Sequence, residues 1–409
     1  MELDRRTILG GVALPFAAPA IAAAATTDDW DRIADQYDVT REVIQLEHGN
    51  WGMMARPVLA TYRATVERVN RDTSYYARRS MVGDVEAARA ALAIAMGVDI
   101  TEIAFTRNAT EAMKALILQY NRLKPGDAVL YADLDYDSMQ ASMESLTRRG
   151  VAVVRIALPE PATHQGLIDA YAAAFDANPK VRMVLLTHVS HRTGLVLPVA
   201  EIATLARTRG IDAVVDAAHG VGQLDFRLPD LKADFVGINL HKWIGAPLGV
   251  GAIYIKRDRI AAIDADAAEV PTSTDIRSRV HTGTVDYAAL LTLPAALAFQ
   301  QAIGGARREA RLRALRNRWV DAVADLPQIQ ILAPGDPRLH GAITSFRLRG
   351  KTSHDANVAL AKTLLERHRI FTVHRDGLAS GSCVRVTPAL ATRMRDMDAL
   401  AAALRAIAT

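Results

Sequence analysis

The amino-acid sequence predicts an α/β fold, with a large helix-covered sheet followed by a smaller C-terminal α/β unit. Three observations carry this expectation. Seven short apolar runs alternate with helical patterns between about residues 86 and 256. A long helical stretch over 287–324 then interrupts the alternation. Beyond it, strand and helix patterns resume in a shorter segment. Near-continuous apolar strands alternating with helices mark a sheet buried on both faces. In such sheets ligands gather at the carboxyl ends of the strands.

The expected strands of the large unit are 103–106, 128–132, 151–157, 183–187, 213–216, 234–238 and 250–255. Helical spacing covers 85–96, before the first strand, and 200–208 between later ones. The 287–324 stretch is expected to break at Gly304-Gly305. The small unit reads as a strand at 342–348, a helix at 353–367, strands at 370–373 and 382–387, and a last helix at 393–407. The expected division is an N-terminal segment (26–50), a large domain (51–304) and a small domain (305–409).

Residues 1–25 stand apart from this pattern. Arg5-Arg6 precedes Thr7-Ile8-Leu9, an apolar run follows over 12–25, and Ala20-Ile21-Ala22 offers a small-x-small cleavage site. The run is too short and too proline-interrupted for a stable membrane span. It reads as a secretory signal of the twin-arginine type, with an uncleaved anchor as the alternative. The expectation is a periplasmic or secreted protein with no membrane association after cleavage. That route exports folded proteins, which suits an enzyme that collects a cofactor before crossing.

The composition is that of an ordinary globular chain: 409 residues, 50% hydrophobic and 23% charged, with net charge +4. Basic residues are interspersed with acidic ones, and the richest cluster, 307–316, reads as a solvated helix face, so no nucleic-acid partner is expected. One cysteine, Cys383, rules out an intrachain disulfide. No Cys/His cluster has zinc spacing, so no metal site is expected.

Lys242 is the most informative residue. It lies in Asn239-Leu240-His241-Lys242-Trp243, just past an expected strand, and Asp216 ends the expected strand before it. A desolvated lysine shifts its pKa readily and can form a Schiff base. Pyridoxal phosphate needs such a lysine, plus an anion that keeps its pyridine nitrogen protonated. Other polar groups cluster at strand ends. Thr106-Arg107-Asn108-Ala109-Thr110-Glu111 reads as a strand-to-helix turn whose free N–H groups suit a phosphate, although a plain helix cap gives the same pattern. Asp135-Tyr136-Asp137 offers a ring that could lie on an aromatic cofactor or pack on the surface. Thr187-His188-Val189-Ser190-His191-Arg192-Thr193-Gly194 is dense enough to suggest a site, or a capped loop. Arg385, inside an apolar strand, suits a substrate carboxylate or an internal salt bridge.

With these residues in order, the chain resembles the class V aminotransferase family of fold-type I pyridoxal-phosphate enzymes, in its isopenicillin N epimerase-like branch. The resemblance covers about residues 44–409. It implies a fold-type I transferase architecture, with a mainly parallel seven-stranded sheet in the large domain and a smaller C-terminal α/β domain. It implies that Lys242 forms the Schiff base and moves the Cα proton, through a quinonoid state. Asp216 would pair with the pyridinium and His219 with the phenolic oxygen. Tyr136 would stack on the ring, and Ala109, Thr110, Asn239 and His241 would hold the phosphate. Gly283-Thr284 would reach the phosphate of a second subunit, giving a homodimer with shared sites. Arg385 would bind the α-carboxylate of a small amino-acid substrate.

Two departures from the family bear on the reaction. His191 stands where many relatives have Asn near the substrate carboxylate. Cys383 lies within a strand two residues before Arg385, not on a loop, which argues against a persulfide-forming desulfurase. Leu46-Glu47-His48-Gly49-Asn50-Trp51-Gly52 resembles a family segment bordering the substrate pocket. Tyr75-Tyr76-Ala77-Arg78-Arg79 could contact substrate or form a dimer surface. The expected activity is that of an exported enzyme acting at an amino-acid Cα, epimerase-like or aminotransferase, with a β-lyase of a sulfur-containing amino acid as the alternative. A non-catalytic cofactor binder would lack Lys242, Asp216 or Arg385. A nucleotide-binding Rossmann protein would need G-x-G-x-x-G after the first strand, and none is there.

Overall fold

A computed structural model describes residues 27–408; the signal-peptide reading of 1–25 lies outside the described residues. The strands are β1 (Ile44–Gln45), β2 (Ile103–Thr106), β3 (Ala128–Ala132), β4 (Ala152–Ile156), β5 (Val181–Thr187), β6 (Asp212–Asp216), β7 (Phe235–Asn239), β8 (Gly251–Ile255), β9 (Ile329–Ile331), β10 (Thr344–Leu348), β11 (Ile370–Phe371), β12 (Val373–Arg375) and β13 (Cys383–Val386). The large sheet has seven strands in the order β2-β8-β7-β6-β5-β3-β4. Its neighbours are parallel except at β8, which runs antiparallel to both β2 and β7.

The expected apolar strands form because all but β4 are buried on both faces; β4, at the sheet edge, is partly exposed and carries Arg155. In β2, Ile103 faces one core and Ala104 the other; in β5, Val184 and Leu185 divide the same way, as do Val214 and Val215 in β6. A strand alternates its side chains between faces, so both alternating sets must be apolar. Asp216 and Asn239 fall at the carboxyl ends of β6 and β7, where the burial pattern meets the ligand edge of the sheet.

Gly304, at φ +87°, separates the helices Tyr287–Ile303 and Gly305–Ala322 at the expected break. The second helix packs with the last helix, Met394–Ala408, over an antiparallel sheet of order β12-β13-β10-β9. No single helix among the described residues is long and apolar enough to cross a membrane.

Two expectations need correction here. The strand at 370–373 is two strands. Ile370–Phe371 pairs in parallel with β1, and Val373–Arg375 pairs with β13. The chain changes partner at Thr372, so one run of strand-forming residues serves two sheets. β9 was not anticipated: Ile329-Gln330-Ile331 is too short to show a period.

The β1–β11 pairing matters to the site. It zips the N-terminal segment onto the small domain, and Thr387 N–H continues the ladder to Leu46 C=O at 2.8 Å. A few residues later Gly52 N–H donates to His241 C=O, 2.8 Å away. Residues 47–52 are thereby stretched from the small domain to the lysine loop.

Candidate active site

A cavity of about 730 Å³ opens at the carboxyl ends of β5, β6 and β7. The small domain closes it with residues 373–377 and Arg385, and the N-terminal segment contributes Gly49 and Asn50. On the sheet side it is lined by Asp216, His219, Asn239, His241 and Lys242. Ala109, Thr110, Tyr136 and His191 line it from the neighbouring loops. The Gly283-Thr284 pair lies elsewhere, exposed in a loop at 281–285.

β6 and β7 are parallel neighbours with Asp216 opposite Gly237, so Asp216 and the loop bearing Lys242 leave the sheet side by side. Asp216 Oδ1 accepts a 2.9 Å hydrogen bond from Ala218 N–H; its second oxygen has no hydrogen bond among the described residues. Burial raises the Asp216 pKa, against the Ala218 N–H and the Lys242 charge. Burial also lowers the Lys242 amine to about 8, Asp216 opposing and Arg385 assisting. Gly52 is required beside it: a Cβ there would sit 1.8 Å from the Lys242 carbonyl oxygen.

His219 stands between Lys242 and Trp243. Its Nε2 lies 3.0 Å from Lys242 Nζ, and its Nδ1 accepts from Trp243 Nε1 at 3.3 Å. An indole N–H can only donate, so the neutral ring carries its proton on Nε2. Burial holds the ring well below its ordinary pKa, and the Lys242 charge adds to this. His219 therefore presents an N–H into the cavity, and a neutral Lys242 amine can accept it.

The turn before the helix Ala109–Leu118 is built to leave donors free. Asn108 Oδ1 caps Glu111 N–H at 2.9 Å, and Asn239 Oδ1 accepts from Ala109 N–H at 2.7 Å. Asn239 thus pins the helix start to the end of β7, which leaves its amide NH2 for a ligand. Thr110 keeps both its N–H and its hydroxyl without partners among the described residues. His241 fixes its ring through Nδ1 to Val250 C=O at 3.1 Å.

On the opposite side, Tyr136 packs edge-on against His191, with ring centroids 5.1 Å apart. Burial lowers His191 to about 4, against Asp137, whose Oδ2 is 3.6 Å from Nε2. His191 is therefore neutral at pH 7, and its buried Nδ1 has no hydrogen-bond partner among the described residues. Arg385 is fully buried. It donates to His191 C=O at 2.6 Å and forms an ion pair with Glu47. The internal salt bridge left open by the sequence is thus present, in the same cavity as the lysine. Arg375 lies 3.4 Å from the same Glu47 oxygen and is less buried.

The aminotransferase class-V family profile matches residues 55–400. The chain belongs to that family. A relative along nearly its full length is an isopenicillin N epimerase from Streptomyces clavuligerus, 29% identical over 397 residues, covering 93% of this chain and 98% of the relative. A protein named "Probable L-cysteine desulfhydrase, chloroplastic" from Arabidopsis thaliana is 30% identical over 253 residues, 57% of this chain and 52% of its own. The fold matches the apo cysteine desulfurase of Thermococcus onnurineus NA1 with a TM-score of 0.79 at 19% identity, covering 95% of this chain and 99% of that one.

The family's cofactor is pyridoxal phosphate, and the cavity fits it. Free donors at Thr110 and Asn239 suit the phosphate, a buried carboxylate at Asp216 suits the pyridinium, and Lys242 lines the same cavity. Sequence reasoning missed Glu47 as the partner of Arg385, and it missed Arg375. Arg375 sits in Val373-His374-Arg375-Asp376-Gly377, a polar run beside a strand like the one at 187–194, so the same signal was present. The Tyr75–Arg79 cluster is not at this cavity; Tyr76 OH donates to Asp84 at 2.6 Å and Tyr75 is exposed.

Proposed function

We propose that the protein works at the Cα of an amino acid, as an epimerase of the isopenicillin N type or as an aminotransferase. The observation that carries this reading is the Lys242 amine, held by burial at about 8 beside a neutral His219. Bound pyridoxal phosphate supplies the electron sink that acidifies the substrate Cα–H. Lys242, its pKa lowered toward neutral pH, can in its uncharged form take that proton and return it. Asp216 holds a positive charge at the ring nitrogen, and His219 donates to the phenolic oxygen. Thr110, Ala109, Asn239 and His241 seat the phosphate, with the exposed Gly283-Thr284 pair reaching the phosphate of a second subunit in a homodimer. Tyr136 and His191 border the substrate from the far side.

A second reading, a β-lyase of a sulfur-containing amino acid, draws on the likeness to the Arabidopsis protein. It needs the same Cα base and no protein thiol. That agrees with Cys383, the chain's one cysteine, which is fully buried with its thiol pushed up to about 11 by burial. The deciding experiment incubates holoprotein with L- and D-amino acids in D2O. Deuterium at Cα with inverted chirality marks the epimerase, keto acid formed with an amino acceptor marks the aminotransferase, and released sulfide marks the lyase. If no amino acid of either hand exchanges its Cα proton, the proposal fails.

Arg385 is proposed to hold the α-carboxylate, with Glu47 balancing its charge. Breaking a buried charged pair costs about 2–5 kcal/mol. Arg385→Leu is therefore expected to lower kcat/KM by about one and a half to three and a half decades for amino acids. Amine analogues that lack the carboxylate are expected to lose little. Equal losses for both would make Arg385 a structural partner of Glu47 and leave the carboxylate to Arg375.

Export is proposed from Arg5-Arg6 ahead of the apolar run. Replacing both with lysine is expected to leave active, uncleaved protein in the cytoplasm. Periplasmic delivery of that variant would remove the twin-arginine assignment.

A further inference from the structure

At the rim of the cavity three side chains outside the cofactor machinery turn toward one point. His374 and Asp376 lie two residues apart in β12 and its continuation, so the strand's alternation sends them to the same side. His354 is the first residue of the helix His354–His368, which packs on β12. His354 Nδ1 is 3.0 Å from Asp376 Oδ2, and His374 Nε2 is 3.6 Å from the same oxygen. The two rings stand perpendicular, with centroids 4.8 Å apart. The three ligand atoms all lie within 4.8 Å of one another.

We propose that His354, His374 and Asp376 form a binding site for a divalent transition-metal ion of the zinc type. Two imidazoles and one carboxylate are the donor set such ions take, with a fourth position left to water. Around a tetrahedral ion with bonds near 2.1 Å, ligand atoms are about 3.4 Å apart. The observed separations need only small side-chain rotations to reach that spacing.

Two further features prepare the site. Asp376 Oδ1 is already held by Ser382 Oγ at 2.6 Å. This orients the carboxylate and leaves Oδ2 as the ligand atom, the second-shell arrangement expected around a metal-bound carboxylate. His374 is fixed by register, since β12 pairs with β13 and sets His374 opposite Val384. His374 therefore stands on a sheet, Asp376 just past the end of the same strand, and His354 on a helix packed against it. His374 and Asp376 also line the main cavity, so an ion here would tie helix and strand together at the substrate entrance.

The test uses untagged, full-length holoprotein and Zn2+ alone, titrated calorimetrically, with Co2+ absorption as an independent report of coordination. The expected result is one Zn2+ per chain, with affinity weakened about 100-fold or more in His354→Ala and in His374→Ala, since even second-shell losses cost about 10–100-fold. The side chain of His354 is 58% exposed, so its removal leaves the fold intact and decides the matter even where His374→Ala misfolds. Wild type that binds no Zn2+, or a His354→Ala variant with wild-type affinity and stoichiometry, would overturn the proposal. The readout is binding and not turnover, so neither outcome touches the assignment of Lys242.

Discussion

Lys242→Ala is expected to lower turnover by about four decades or more, because it removes both the covalent anchor of the cofactor and the base at Cα. The wild-type protein is expected to be yellow, and borohydride is expected to fix the cofactor on the peptide that contains Lys242. The variant should retain cofactor only without a covalent link, held by the free donors at Thr110 and Asn239. Its fold should survive. The amine touches His219 at the edge of a cavity, and burial makes its charge a burden on the folded state. Peptide mapping of the reduced protein checks the assignment, and a label on any other lysine would sink it. A variant with normal turnover would do the same for the base role.

The sheet was legible because its physics is repetitive. Strands buried on both faces must be apolar at nearly every position, and these six, together with the half-exposed edge strand β4, appear in the sequence within two residues of their observed ends. Asp216 and Lys242 were legible for a related reason. Charged side chains interrupt apolar runs at strand ends, where only a ligand or a partner can repay their burial. What the sequence concealed was pairing across long separations. Glu47 meets Arg385 because β1 joins β11, and a two-residue strand has no period to read. Thr372 hides a change of strand partner inside one run. The His354, His374 and Asp376 cluster has no zinc spacing in the sequence, because one residue stands at a helix start and the other two on a strand and just past its end, twenty residues on.

Asp216→Asn is expected to leave cofactor binding largely intact and to cost turnover about two to three and a half decades, the weight of a buried ion pair left without one partner. The substitution changes charge and little else. The amide oxygen can still accept from Ala218 N–H, so the loop after β6 should keep its course. What disappears is the anion that holds a proton on the ring nitrogen, and with it the electron sink. The same change is expected to have an opposite effect on the stability of the apoprotein. Burial raises the Asp216 pKa above its ordinary 3.8, so the folded chain holds this proton more tightly than the unfolded one does. The stability this group contributes is full below the ordinary value and lost as pH rises through the raised one. Asparagine resembles the protonated form at every pH. Apoprotein carrying Asp216→Asn should therefore melt higher than wild type at pH 7, and the difference should vanish as pH falls below about 4. Thermal unfolding of both apoproteins across that range, beside turnover of the loaded enzymes, separates the two effects. A variant that loses stability at pH 7 would mean that Asp216 is a structural anion, and near-normal turnover in the loaded variant would remove it from the cofactor's ring nitrogen.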